Sequence, residues 1–208
     1  MDPADLDRIS TEVRPALDER FRARERGITE SRLVIRASAN AIRALHRGEF
    51  GAANGLIAEA GSILRGIVDA LAGHQDILHA GFVSDAAKEY AEARLTAAIV
   101  AGESLPGADD LGLDPVPYLH GLGETVGECR RRLLDLLRSG EVEEAEMLLH
   151  AMDAIVDLLA TMDYPDGMTS GLRRTTDVSR SLVERSRADL TSTVVQERLR
   201  RQLSQEPR

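Results

Sequence analysis

Apolar residues recur along most of this chain with the three- and four-residue spacing of amphipathic helices. The spacing predicts helices over residues 3–24, 29–48, 49–72, 75–101, 116–138, 141–162 and 168–203. Thr29 is the predicted N-cap of the second helix, and Gly48 ends that helix. No segment shows the alternation of a half-buried strand. The chain is therefore predicted to be an all-α bundle of about seven helices.

The lengths of the segments predict how the chain is organised. At 208 residues it is expected to form one domain, 1–208, with an N-terminal helix over residues 1–27. Residues 102–117, rich in Gly, Pro and Asp, predict one long loop. The last predicted helix is longer than a typical globular helix, so we expect part of it to pack against another subunit.

Composition supports a helical interior. The chain is 43% hydrophobic but only 3% aromatic and has no Trp, which is typical of Ala/Leu-rich helix packing. Its one cysteine, Cys129, is predicted to be a core residue in a reducing compartment. The sequence shows neither a membrane-spanning apolar run nor a signal-peptide core, so we expect a soluble, cytoplasmic protein that does not bind membranes.

Charge is distributed unevenly. The net charge of −9 argues against a general nucleic-acid-binding coat. Residues 20–47, however, hold eight arginines against two glutamates, a local net charge of +6. Four of these arginines share one helix face: Arg32, Arg36, Arg43 and Arg47. This face is either a track for phosphates or a solvated surface paired with acidic neighbours.

Two pairs of glutamates have the spacing of one helix face. Glu89 and Glu92 are three residues apart, and Glu124 and Glu128 are four apart. If the two helices packed together, four carboxylates would meet. Because like charges repel each other, such an arrangement is expected chiefly around a bound cation. All the donors are oxygens, with no Cys or His at ligand spacing, which favours Mg²⁺ or Mn²⁺ and hence phosphate chemistry.

Helix-wheel positions differ between the glutamates. Glu89 lies in the middle of an apolar stripe, where a carboxylate is costly unless it is paired or coordinated, and Glu92 lies at its edge. Glu124 and Glu128 lie opposite the apolar face of their helix and are predicted to be exposed, unless a cavity or subunit interface covers them. The alternative for both pairs is solvated surface charge. A third acidic cluster, over residues 141–146, is interpreted as charge that compensates a helix dipole.

Four segments in order resemble the translin/Trax family, and within it the archaeal translin-like proteins. They are residues 31–47, 88–93, 117–128 and 171–185, and the resemblance extends from about residue 28 to residue 195. The Glu-Tyr-x-Glu-Ala pattern at residues 89–93 is similar to the Trax branch, the catalytic branch of the family. The resemblance implies an all-α fold, a hollow octameric barrel of identical subunits, and Mg²⁺-dependent endoribonuclease activity inside its cavity.

The family's acidic catalytic set corresponds to Glu89, Glu92 and Glu124, which are predicted to hold the metal. Trax has Asp where this chain has Glu124. Glu128 is predicted to be a further ligand or a general base. Backbone phosphates of RNA are predicted to contact a set of basic residues: Arg36, Arg43, Arg47, Lys88, Arg173 and Arg174.

Two other functions fit parts of the pattern. A non-catalytic, translin-like RNA-binding scaffold would use the glutamates structurally. An all-α nucleoside-triphosphate pyrophosphohydrolase also places two acidic pairs around Mg²⁺, but its second pair resembles Glu-x-x-Asp, whereas here Glu124 and Glu128 are four residues apart. The leading prediction is a metal-dependent endoribonuclease that acts on single-stranded or loosely structured RNA.

Overall fold

A computed structural model describes residues 3–205, and every regular element in that range is helical. The helices are α1 (Pro3–His46), α2 (Phe50–Ala70), α3 (Gln75–Leu78), α4 (Gly81–Ala101), α5 (Ala108–Leu111), α6 (Pro115–Ser139), α7 (Val142–Ala160), α8 (Asp166–Thr169) and α9 (Leu172–Gln205). The all-α prediction is confirmed, although three short helices add to the six long ones. None of the helices described between residues 3 and 205 is long and apolar enough to span a membrane.

The first two predicted helices are one. The predicted break at residues 25–28 is wrong, because α1 continues through it. The Thr29 hydroxyl donates to the Glu25 carbonyl at 2.9 Å, a bond made inside a helix rather than at its N-cap. Gly27 is buried, and a Cβ atom there would lie 3.1 Å from the Phe82 ring and 3.3 Å from Leu71. Gly27 therefore serves close helix packing, not helix termination.

Two other predicted helices are interrupted. The helix predicted over residues 75–101 is divided into α3 and α4 at His79 and Ala80. The helix predicted over residues 168–203 is divided where Ser170 and Gly171 adopt positive φ angles of 52° and 80°. The predicted loop at residues 102–117 contains the single turn of α5 and ends at Pro115, where α6 begins.

The long helices surround a continuous apolar core. α1 packs against α2 and α4, and α6 packs against α4, α7 and α9. Residues such as Val34, Ile67, Leu95, Leu133 and Met152 bring these helices together in the interior. Cys129 is buried there as predicted, and burial raises the pKa of its thiol to about 12. The contact between α4 and α6 at the centre of this arrangement brings the two glutamate pairs together.

Candidate active site

Glu89 and Glu92 of α4 and Glu124 of α6 come together across the helix contact. One carboxylate oxygen from each residue lies within 4.8 Å of the other two. Among residues 3–205, this is the one group of three acidic, His or Cys side chains that could hold a metal ion. The structure thus unites the three residues that were predicted as ligands, although they are separated by up to 35 positions in the chain.

A glycine makes this approach possible. A Cβ atom on Gly121 would lie 2.7 Å from the Lys88 carbonyl oxygen and 2.7 Å from the Ala91 Cβ atom. One turn later, the Thr125 hydroxyl donates to the Gly121 carbonyl at 2.9 Å and lies 3.4 Å from the Glu92 carbonyl. Gly121 was not singled out from the sequence. Because glycine weakens a helix interior, its place three residues before Glu124 was the available signal of a close helix crossing.

Burial of the glutamates differs from the wheel prediction. Glu92, expected at the edge of the apolar stripe, is buried, with 8% of the residue's surface exposed, whereas Glu89 and Glu124 are half-buried. The wheel failed because α4 packs against three helices, α1, α2 and α6, and is therefore buried around most of its circumference. The most deeply buried carboxylate of the site is Glu92.

Lys88 lies among the carboxylates. Its ammonium donates to Glu124 Oε1 at 2.9 Å and lies 3.4 Å from Glu89 Oε1. Burial lowers the pKa of Lys88, but the hydrogen bond and charge of Glu124, together with Glu89, outweigh burial and raise it. Lys88 therefore pairs with two acidic side chains. The contact with an RNA phosphate that the sequence analysis expects for this residue stays a prediction.

The Glu92 carboxylate makes no ion pair or side-chain hydrogen bond with any residue between 3 and 205. Burial, followed by the negative charges of Glu124, Glu89 and Glu128, raises its pKa to about 8. An unpaired carboxylate in such a place is unfavourable unless it is protonated or coordinated.

Glu128 has a partner that sequence reasoning missed. His46, at the end of α1, contacts the Glu128 carboxylate through its Nε2 atom and is almost fully buried. Glu124 and Glu128 are less exposed than the helix wheel predicts, at 39% and 24% of their side-chain surface, because α4 and α1 of the same chain cover part of that face. The sequence pattern gave no signal for a contact between residues 82 positions apart.

Comparisons with known proteins agree with this fold. AfC3PO, solved in complex with duplex RNA, is 31% identical over 89% of this chain and 96% of its own, with a TM-score of 0.83. The crystal structure of AfC3PO matches at 30% identity and the same TM-score. The chain belongs to the translin-like family. Apo-NeC3PO, at 20% identity and a TM-score of 0.74, supports the fold alone for this translin-like chain.

Comparison of the sequence alone with known proteins identifies fewer relatives than comparison of the structure. No protein-family model matches the translin-like chain. An uncharacterised protein of Methanocaldococcus jannaschii is 27% identical over 124 residues, which are 59% of this chain. The match spans about half, 55%, of that curated relative's length.

The basic residues predicted to contact RNA divide into two groups. Arg174 of α9 lines a cavity of about 390 Å³ together with Glu92 and Glu124, whereas its neighbour Arg173 lines a different cavity between α7 and α9. The three on α1 are exposed: Arg36, Arg43 and Arg47. Arg43 donates to Asn40 Oδ1 at 2.6 Å and Arg47 pairs with Glu49, while Arg36 has no ion pair within the part of the chain described. Arg174 is the arginine that shares a cavity with the carboxylates.

Proposed function

We propose that this translin-like protein is a Mg²⁺- or Mn²⁺-dependent endoribonuclease that cuts single-stranded or loosely structured RNA. The observation that carries the proposal is Glu92, an unpaired carboxylate that is only 8% exposed and lies beside two others. A carboxyl group that is buried without a partner fits a place where a cation coordinates its ionised form. A surface cluster that served only solubility would not bury its central member.

The residues present fit a divalent cation. Glu89, Glu92 and Glu124 carry three negative charges when ionised, and Lys88 supplies one positive charge, so two negative charges stay uncompensated. The ligands are all carboxylate oxygens, which hard cations such as Mg²⁺ and Mn²⁺ prefer. Glu89, Glu92 and Glu124 would hold the cation. A divalent cation bound there supplies charge stabilisation at a scissile phosphate and makes a water molecule more acidic.

Other side chains suit the remaining parts of phosphodiester cleavage. Glu128, oriented by His46, is the residue that would accept a proton from the attacking water, and its charge already influences the pKa of Glu92. Arg174 faces the same cavity and would donate hydrogen bonds to phosphate oxygens. The exposed Arg36, Arg43 and Arg47, with Arg173 on α9, would extend this contact along the RNA backbone.

RNA as the substrate is supported by AfC3PO, a family member that has been solved with duplex RNA. This chain has three Phe and three Tyr and no Trp, so few aromatic rings are available to stack on bases. We therefore expect contacts mainly to the RNA backbone and little sequence preference.

Assembly into a hollow oligomer of identical subunits is part of the proposal. Exposed apolar residues recur at one-turn spacing on the first half of α1, including Leu6, Val13 and Leu17, and near the end of α9 at Val195 and Leu199. Such stripes favour burial against another subunit. Eight copies of the 22.6 kDa chain would give a particle of about 181 kDa in native mass spectrometry. A stable monomer that cleaves RNA at full rate would contradict the proposal that cleavage takes place inside an oligomeric cavity.

Cleavage of an unstructured RNA tests the activity. We expect cutting with Mg²⁺ or Mn²⁺ and none in EDTA. Glu89→Gln keeps the shape of the side chain but removes its charge, so the rate should fall at least about a hundredfold, as when one strong electrostatic contributor is lost. Glu146→Gln, in the exposed cluster of α7, is the matched control and should cleave normally.

A preparation free of contaminating nuclease in which Glu89→Gln cleaves at the normal rate would refute the assignment. RNA binding without cleavage by the unmodified protein, with Mg²⁺ present, would instead favour the non-catalytic scaffold.

A further inference from the structure

Lys88 is the one lysine of the chain, and the other 25 of its 26 basic residues are arginines. Since arginine is the usual basic residue in this sequence, a lysine needs a reason particular to its position. That position is the acidic site, where the Lys88 ammonium contacts both Glu124 and Glu89. An ammonium is a compact point charge on a flexible stem, whereas a guanidinium is a planar fork that grips a carboxylate with two hydrogen bonds. A lysine ammonium is therefore displaced from these carboxylates more easily than an arginine guanidinium would be.

We propose that Lys88 is an internal counter-cation, which holds Glu124 and Glu89 in the metal-free protein and leaves them when a divalent cation binds. This inference rests on the proposed function, because it requires the cation site. The Lys88 Nζ atom lies 2.9 Å from Glu124 Oε1 and 3.4 Å from Glu89 Oε1, and both carboxylates belong to the proposed cation site. A divalent cation shared by the same two carboxylates would repel an ammonium at that distance.

The geometry provides a route for the displaced side chain. Lys88 precedes Glu89 on α4, and its side chain is 23% exposed, so the ammonium can turn towards the open side of the site without unfolding the helix. Once released, it becomes a donor for a substrate phosphate. Metal binding and phosphate binding are thereby coupled, since the first makes the Lys88 ammonium available for the second.

The single lysine makes the displacement measurable by chemistry at one residue. Lys88 is the one side-chain amine in the chain, so acylation by an N-hydroxysuccinimide ester can be followed on its peptide by mass spectrometry. We expect slow acylation in EDTA and acylation roughly tenfold faster in saturating Mg²⁺, because the ammonium then loses two carboxylate partners. In Glu92→Gln, which lacks a ligand, Mg²⁺ should leave the rate unchanged.

Removing the ammonium provides a second readout. Lys88→Met should raise the affinity for Mg²⁺ in calorimetry by roughly tenfold, because the metal no longer competes with a bound cation. Arg94→Met is the matched control. It removes a basic residue of the same helix that lies 3.8 Å from Glu103, away from the site, and should not change the affinity. If Lys88→Met fails to fold, the acylation experiment on the unmodified protein still decides.

The outcomes separate this inference from the proposed function. If calorimetry detects Mg²⁺ binding and RNA is cleaved, but Mg²⁺ does not accelerate acylation of Lys88, the displacement is refuted and the nuclease stands. If the unmodified protein binds neither Mg²⁺ nor Mn²⁺, both the displacement and the proposed function fail. Acceleration of acylation that saturates at the calorimetric Mg²⁺ concentration supports the displacement.

Discussion

Two groups of four glutamates lie in this chain, and they differ in almost every physical respect. The four at the start of α7 are exposed: Glu141, Glu143, Glu144 and Glu146. The four of the candidate site are all at least partly buried: Glu89, Glu92, Glu124 and Glu128. The first group meets water and the positive end of a helix dipole, whereas the second meets side chains of other helices.

The consequences for ionisation differ accordingly. Within the α7 group, a hydrogen bond with Glu141 and the charge of that residue raise the pKa of Glu144, a local effect between two exposed neighbours. At the candidate site, burial is the largest cause and three other carboxylates add to it, so the pKa of Glu92 reaches about 8. The comparison teaches that the number and spacing of glutamates do not distinguish surface charge from a metal site. The distinction comes from the helix that packs against them.

The largest expected effect is the difference in Mg²⁺ affinity when one glutamate of each group is changed to glutamine. In Glu92→Gln we expect the affinity for Mg²⁺ to fall at least about a hundredfold, because the variant loses a direct ligand of the cation. Losing a residue that only orients a ligand usually lowers metal affinity by less. Glu144→Gln removes the same carboxylate group from an exposed position, and this variant should bind Mg²⁺ normally. Isothermal titration calorimetry measures both. Equal affinities in the two variants would remove the physical distinction between the groups.

The helix contact itself can be tested through two glycines of α6. Gly121→Ala should destabilise the protein by about 1–3 kcal/mol, because its methyl group would overlap α4, and should weaken Mg²⁺ binding roughly tenfold by moving Glu124. At Gly127 the nearest atom to an added Cβ is 3.8 Å away, an ordinary contact. Gly127→Ala should therefore be stabilising by about 0.5–1 kcal/mol.

Chemical denaturation and calorimetry measure these effects. If Gly121→Ala retained full stability and full Mg²⁺ affinity, close approach of α4 and α6 would not be what assembles the site.

The raised pKa of Glu92 predicts a pH dependence of stability. Without metal, the folded protein keeps a proton on Glu92 up to about pH 8, whereas the unfolded chain releases it near pH 4.5. The folded state therefore binds more protons in between, and the free energy of unfolding should fall as pH rises from 4.5 to 8, by up to about 1.4 kcal/mol per pH unit. Denaturation in EDTA at several pH values measures the slope.

Glu92→Gln should flatten that slope and make the metal-free protein more stable at pH 8, while Glu144→Gln should retain most of it. In the unmodified protein the affinity for Mg²⁺ should rise over the same pH range, because coordination requires the ionised carboxylate. A slope that Glu92→Gln leaves unchanged would place the responsible group elsewhere.

The smallest expected effect is on the salt dependence of RNA affinity, and it concerns the exposed arginines of α1. If the arginine face of α1 contacts phosphates, changing Arg36 and Arg43 together to Gln should reduce the salt dependence of RNA affinity by roughly one to two units of log–log slope. Arg138→Gln, whose arginine pairs with Asp135 on the exposed end of α6, is the control. An unchanged slope in the double variant would mean that this face, like the α7 glutamates, is solvated surface.

The sequence by itself determined the helices and the candidate ligands. The periodicity of apolar residues predicts the long helices because each buries one face, and it identifies the glutamates as pairs on common helix faces. The resemblance in four ordered segments predicted the family, which the structural similarity to AfC3PO confirms. The ends of the helices were less predictable from the sequence. Gly27, for example, is equally compatible with a helix end and with the close packing against Phe82 that it serves.

Tertiary structure decided which carboxylate is buried and what each one contacts. A helix wheel assigns a single buried face, but α4 is covered by three neighbours, so Glu92 is buried although it lies at the edge of the stripe. The pairing of Glu128 with His46 and of Lys88 with Glu124 joins residues that are 82 and 36 positions apart. Such contacts depend on how helices cross, and the crossing depends on Gly121, whose absent side chain lets two backbones meet.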